Sequence, residues 1–278
     1  QPGQEYTLKG QLMDKATGEA VQIDGQPVIA ETVFTPEAAD GSVTVTFTLN
    51  AIALKGKSVV VFESLLHNGR EIAIHADIED EGQTVSIAEP KIGTTATGKD
   101  GEKELSPSAA ATIVDTVKYE NLAVGQEYTL KGTLMDKATG KPVLVGEKEV
   151  TAQTNFKPDQ ANGTVEVTFT FDASSLKAKE VVVFERLFIG DAEIAAHADI
   201  EDKDQTVYIP KVRTTAIGDD TKDHVTEAKK DVTIVDTVSY ESLEVSREYT
   251  VKGVLMDKAT GKAILVDDKE VTAETTFV

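Results

Sequence analysis

The 278-residue chain has no Cys, no Trp and only 4 His, and 48 acidic side chains against 28 basic ones give a net charge of −20. That length holds about two ordinary domains with sizeable cores, which excludes a single minimal scaffold. The absence of Cys excludes disulfides, thiolate catalysis and thiolate metal sites, and the acidic excess argues against nucleic acid and anionic lipid as partners.

The chain opens on Gln1-Pro2-Gly3-Gln4, which has neither a basic nor an apolar leader region, so any export signal is expected outside it. The run from Gln4 to Gly18 then recurs from Gln126 to Gly140 and, slightly altered, from Arg247 to Gly261. Tyr6, Tyr128 and Tyr249 are thus 122 and 121 residues apart, the period of a domain and not of a small solenoid unit. Ser42 to Leu49 alternates apolar and polar residues, as does its equivalent Thr164 to Phe171, and both are expected to be half-exposed strands. Val59 to Phe62 and Val181 to Phe184 are the longest apolar stretches, and Val181 to Phe184, apolar on both faces, is expected to be a central strand. They are far shorter than the roughly 18 apolar residues of a membrane helix, so no bilayer crossing is expected.

Pro90-Lys91 and Pro210-Lys211 each follow a strand-like run and precede Thr-Thr-Ala, at Thr94 to Ala96 and Thr214 to Ala216. These cut points divide the chain into a partial repeat, 1–90, a complete one, 91–210, and a second partial one, 211–278. The chain reads as a segment of a longer tandem array. Within the complete repeat, further strands are expected over Ala111 to Val117, Tyr128 to Met135, Val150 to Thr154, Glu193 to Asp199 and Thr206 to Ile209. Turn chemistry lies at Asp136 to Gly140 and Asn162-Gly163. Many short strands in about 120 residues with no helical period imply an all-β fold of tandem immunoglobulin-like β-sandwich domains arranged as a rod.

Three residues are not explained by such a sandwich. In Ile113 to Val117, Asp115 shares a face with Ile113 and Val117, and Glu185 shares one with Val181 and Val183. Two carboxylates entering one core cannot both stay ionised, and the pair would share a proton. The alternative is that each lies at a strand end and reaches water. His197 sits among small and apolar residues eight positions before Gln205, and His75 stands at the same distance from Gln83. A strand-borne His is commonly structural, but the recurrence of so scarce a residue favours a function. His67 and His224 lack repeat partners and read as surface residues. The acidic run Asp199 to Asp204 offers oxygens for a calcium-dependent adhesive loop, but the turn Gly and distal Glu of an EF-hand are missing. No phosphate loop, nucleophile elbow or zinc-protease motif occurs, which leaves an enzyme acting through His197 with Asp115 or Glu185 little support.

Thr94-Thr95-Ala96, Val114-Asp115-Thr116-Val117-x-Tyr119, Tyr128 to Met135, Val183-Phe184-Glu185 and His197-x-Asp199-x-x-Asp202-x-x-Gln205-Thr206 together resemble the VaFE-type repeats. These are the Thr-Gln ester-bond domains of Gram-positive surface adhesins. The resemblance extends over the whole chain. It implies CnaB-like sandwiches whose first and last strands are joined by a self-formed ester, with Thr94 as nucleophile and Gln205 as electrophile. It further implies His197 as the proton-transfer residue and Asp115 with Glu185 as the buried acidic pair. Thr95 should face away, since neighbouring strand residues alternate. The partial repeats carry the equivalents Glu63, His75 and Gln83 in the first and Thr214 and Asp236 in the last, so one ester is expected in this chain. The resemblance implies an extracellular, cell-surface stalk segment whose partners are neighbouring repeats of the same fibre. No cofactor, no metal and no turnover of an external substrate are expected, and the host ligand would bind elsewhere.

Overall fold

The computed structural model describes residues 1–278. It is all-β, a tandem series of antiparallel sheets with no α-helix, and only single 3-10 turns at Ile52–Leu54 and Glu81–Gln83 interrupt the strands. Besides a two-stranded ladder of Gln22–Ile23 with Gln26–Pro27, the first segment has one main sheet of β1 (Tyr6–Asp14), β2 (Ile29–Phe34), β3 (Ser58–His67), β4 (Arg70–His75) and β5 (Thr84–Ser86). Its order is β2-β1-β3-β4, with β5 also on β3.

Besides a short two-stranded ladder of Leu144–Val145 with Lys148–Glu149, the middle segment has two main sheets. One comprises β6 (Lys91–Gly98), β7 (Ala111–Glu120) and, later in the chain, β10 (Gly163–Phe171), with β7 in the centre. The other is built on β8 (Tyr128–Asp136) and β11 (Lys179–Ile189). β9 (Thr151–Phe156) flanks β8, and β12 (Ala192–His197) and β13 (Thr206–Ile209) share the far side of β11. The last segment contains two hairpin ladders, β14 (Lys211–Gly218) with β15 (Ile234–Glu241), and β16 (Tyr249–Val254) with β17 (Thr272–Phe277).

The strand patterns explain this arrangement. Along β10, Val167, Phe169 and Phe171 are buried, while Glu166, Thr168 and Thr170 face water. Burying such side chains contributes about 1.5–3 kcal/mol each. The all-apolar β11 is central, with β8 on one edge and β12 and β13 on the other, and Val181, Val182 and Val183 are all buried. Its partner β8 ends at the expected turn, where the Asp136 carboxylate accepts from the Thr139 amide at 3.1 Å and pairs with Lys179. Gly140 closes that turn at φ 64°, a conformation that suits glycine.

A cluster of 23 buried apolar residues, among them Ile113, Val117, Leu130, Leu134, Phe169 and Ile209, fills the space between the two middle sheets. The first segment buries a cluster of four, Leu12, Val21, Leu54 and Val59. This difference corrects one expectation. Ser42 to Leu49 is not a strand, although its burial still alternates as a strand's would. Its equivalent β10 pairs with β7, and the first segment has no such strand to offer it ladder bonds. A side-chain tie, Thr32 Oγ1 to the Thr44 carbonyl at 3.0 Å, holds it instead.

Candidate functional site

Thr94 and Asp115 reach the core from neighbouring strands. In the β6–β7 ladder Thr94 is opposite Val117 and Ala96 opposite Asp115, so Thr94 and Asp115 are diagonal neighbours on one face. Alternation along β6 buries Thr94 and leaves Thr95 exposed, as the sequence requires. In the facing sheet, Gly132 of β8, Glu185 of β11 and His197 of β12 stand in one row across three strands. Gln205 lies just before β13, whose residues Thr206 and Val207 pair with Val182 and Val181 of β11.

The structure brings four of the five expected residues together in the interior. Asp115, Glu185 and Gln205 are fully buried and Thr94 nearly so. Gln205 Nε2 donates to Thr94 Oγ1, joining side chains 111 residues apart. The solvent-facing alternative for the two carboxyls is thereby excluded. Burial raises the pKa of Asp115, an effect the adjacent Thr94 hydroxyl and Glu185 carboxyl partly offset. Burial, followed by the Asp115 charge, raises Glu185 further. The two acids are therefore close enough to shift each other, yet none of their four oxygens makes a hydrogen bond of normal geometry, and Gln205 Oε1 has no partner either. One proton held by Glu185 and shared with Asp115 fits this setting, because a second negative charge in the same dry space would be prohibitively costly.

His197 is placed differently. Its ring Nε2 bonds Asp202 Oδ2 at 2.6 Å, its side chain keeps 27% exposure, and no hydrogen bond links it to Thr94 or Gln205. The turn that carries Asp202 is tied down by Asp202 Oδ1 accepting from the Asp204 amide at 2.7 Å and by Thr206 Oγ1 donating to the Asp202 carbonyl at 2.7 Å. The acidic run is thus occupied with turn bonds. Asp199 Oδ1 accepts from the Glu201 amide at 3.0 Å, and no three His, Cys, Asp or Glu side chains are grouped to hold a metal ion.

Two further residues shape the site without having been singled out as candidates. A Cβ added at Gly132 would stand 2.4 Å from Glu185 Oε1 and 2.4 Å from Phe169 Cζ, so the glycine is the space the carboxyl occupies. An isolated glycine inside a strand pattern, recurring as Gly10 and Gly253, is the available signal for such a close approach. Lys103 is the second. It is half-buried, and its Nζ donates to the Ala96 carbonyl at 2.7 Å and the Asp204 carbonyl at 2.5 Å. Nothing in its exposed-looking Gly-Glu-Lys-Glu context marks it.

The equivalents in the flanking segments do not assemble such a site. Gly10, Glu63 and His75 form the same row across three strands, and His75 bonds Asp80 at 2.7 Å as His197 bonds Asp202. No sheet faces them, however, so Glu63 and Gln83 are only half-buried and the His75 side chain is 52% exposed. Thr214 and Asp236 keep the strand register of their middle counterparts but are exposed.

The middle segment is thus a two-sheet β-domain whose core holds a buried Thr hydroxyl against a buried Gln amide, beside two buried carboxyls. The chain is a member of the family of T-Q ester bond containing domains, whose family model matches residues 1–87, 90–209 and 210–278. Among solved structures it is similar to a bacterial adhesin from Mobiluncus mulieris containing intramolecular disulfide, isopeptide and ester bond cross-links. In one crystal form of that adhesin the identity is 16% over 62% of this chain and 91% of the other, with a TM-score of 0.39. In a second form it is 15% over 67% and 92%, with a TM-score of 0.42. A putative β-galactosidase from Bacteroides fragilis aligns at 13% identity over 76% of this chain and 31% of its own, with a TM-score of 0.32. No curated protein matches the chain.

Proposed function

We propose that residues 91–210 form one complete repeat that cross-links itself through an ester between Thr94 and Gln205. The observation that carries this reading is the buried contact of Gln205 Nε2 with Thr94 Oγ1 beside two buried carboxyls. Thr94 Oγ attacks the Gln205 side-chain carbonyl carbon, the C–N bond breaks, and the amide nitrogen leaves as ammonia. The Thr proton goes to the departing nitrogen, so the balance is one ester formed and one ammonia released.

Each group then has a chemical task. Asp202 fixes the His197 ring through Nε2, which leaves Nδ1 to take the Thr94 proton and pass it to the leaving amine. The proton shared by Asp115 and Glu185 is a donor for the oxyanion developing on Gln205 Oε1, which has no other partner. Holding the reacting atoms together in the fold makes the step intramolecular, an advantage of about 7–11 kcal/mol. The core that encloses Thr94 and Gln205 also keeps water from hydrolysing the product.

The reaction occurs once per domain, so the product is a mechanical element and no external substrate is turned over. Thr94 lies near the start of β6 and Gln205 immediately before β13, so a pull through the two ends of the repeat meets the ester before it reaches the strands between. We assign the chain to the stalk of a cell-surface adhesin or fibre, as a segment of linked repeats bounded at 1–90, 91–210 and 211–278, of which the middle one is a complete sandwich. Neighbouring repeats are its partners and host binding lies elsewhere in the full protein. Intact mass and peptide mapping test the chemistry. The mapping is required to assign the loss of ammonia to Thr94 and Gln205. A linked peptide containing both Thr94 and Gln205 is expected, and its absence from folded protein overturns the reading.

A further inference from the structure

The two reacting strands have no ladder between them. β6 pairs only with β7, and β13 only with β11. A single backbone bond, from the Ala96 amide to the Asp204 carbonyl at 2.9 Å, joins the Thr94 strand to the segment entering Gln205. The connection between β6 and β7 supplies a further tie between the Thr94 strand and the Gln205 segment. That connection lies along β13, where the Leu105 amide donates to the Tyr208 carbonyl at 2.7 Å and the Tyr208 amide donates to the Lys103 carbonyl at 2.8 Å. Glu104 bridges Tyr208 in the parallel sense.

Alternate residues of this strap point to different places. Lys103 points inward, and its ammonium bonds both the Ala96 carbonyl, two residues beyond Thr94, and the Asp204 carbonyl, adjacent to Gln205. Burial lowers its pKa while the Asp204 and Asp115 charges favour its protonated form. Glu102 and Glu104 point outward to the last segment. Arg247 bonds Glu102, and its other terminal nitrogen lies 2.9 Å from Glu104 Oε2. The Tyr249 hydroxyl donates to Glu104 Oε1. One strap of three residues thus connects the reacting pair to the junction with the next repeat.

The last segment repeats half of this device with another residue. The Gly218 amide bonds the Asp223 carbonyl at 2.8 Å as the Gly98 amide bonds the Glu102 carbonyl at 2.7 Å, which makes His224 the positional equivalent of Lys103. His224 Nδ1 lies 3.0 Å from the Ala216 carbonyl, the counterpart of Ala96. The residue that reads from the sequence as an unpartnered surface His is exposed but occupies this strap position.

We infer that Lys103 is the positioning residue for the Thr94–Gln205 reaction and that the following repeat, gripping Glu102 and Glu104 through Arg247, holds the strap in the reactive arrangement. This role rests on the ester reading of Thr94 and Gln205. Cross-linking of one repeat is then coupled to docking of the next, so a growing fibre locks each domain as its successor arrives.

The test tracks the linked Thr94–Gln205 peptide over time after a pulse of cell-free synthesis of the full chain. Lys103→Met, which keeps length and removes the donors, should slow its appearance about a hundredfold, as a displacement of about an ångström does. Lys103→Arg should restore most of the rate, and Arg247→Ala should slow it about tenfold although it lies in another repeat. In a Thr94→Val background, which cannot react, Lys103→Met should speed hydrogen exchange at the Ala96 amide. A Lys103→Met chain that links at the wild-type rate overturns the positioning role, and an Arg247→Ala chain that does so overturns the coupling. If Lys103→Met fails to fold, Lys103→Arg and the partly exposed Arg247→Ala carry the test. A wild-type chain that never links overturns the ester reading together with this inference.

Discussion

Replacing Thr94 by Val removes the nucleophile while keeping the side chain's shape, and the structure sets the size of the expected effect. The ester would close a loop between residues 111 apart. In the chain-entropy treatment of cross-links, a loop of that length restrains the unfolded state by about 5 kcal/mol. A domain of about 120 residues has an unfolding entropy near 0.25 kcal/mol per degree, so the cross-link alone is worth about 20 °C in Tm. The variant also leaves the buried Gln205 Nε2 without its acceptor, a further cost of about 1–3 kcal/mol. Calorimetry of wild type, Thr94→Val and Thr94→Ser, each mapped for the linked peptide, provides the comparison. Thr94→Ser keeps the hydroxyl and should remain near wild type. Thr94→Val with no linked peptide and a Tm within a few degrees of wild type would refute the loop-closure reasoning. A linked Gln205 peptide surviving in Thr94→Val would refute the assignment of the nucleophile.

The same geometry fixes other outcomes. Under tension, Thr94→Val should release roughly 370–400 Å of chain that wild type keeps hidden, at 3.3–3.6 Å per residue over the enclosed 111 residues, and single-molecule force spectroscopy reads this directly. Asp115 and Glu185 both have raised folded-state pKa values, so the folded chain binds more protons than the unfolded one once pH exceeds the ordinary carboxylate range. The contribution of this pair to the stability of the unreacted Thr94→Val protein is therefore fully present in acid and is lost as pH rises through the folded pKa values, and denaturant titration should find stability at neutral pH raised relative to acid in a Thr94→Val, Glu185→Gln double variant when each is compared with Thr94→Val alone. Gly132→Ala forces a Cβ to within 2.4 Å of Glu185 Oε1 and Phe169 Cζ and should cost about 1–3 kcal/mol by overpacking while slowing ester formation, whereas Gly253→Ala, with no such close neighbour, should be mild. His197→Ala should slow linkage by about 10²–10⁴-fold with little change in the Tm of the unreacted fold, and equal rates would remove His197 from the chemistry.

Much of this protein is legible along the chain because the relevant forces are local. Alternation along Thr164 to Phe171 and the solid apolar run Val181 to Phe184 determine which strand is half-exposed and which is central, since side chains in a strand point to alternate faces. The repeat spacing carries the row Gly132, Glu185, His197 into Gly10, Glu63, His75, and the strand register reproduces it in both segments. What those residues experience is decided by the second sheet. Glu185 is fully buried and Glu63 is not, Gln205 meets Thr94 and Gln83 meets no Thr, and Ser42 to Leu49 is not a strand while its counterpart is one. Desolvation, pKa and reactivity depend on what lies across the core from a side chain, and no local pattern contains that. Lys103 is the clearest case: its neighbours in sequence are charged and polar, and only the folding of its strap over Ala96 and Asp204 converts it from a solvated lysine into a clamp.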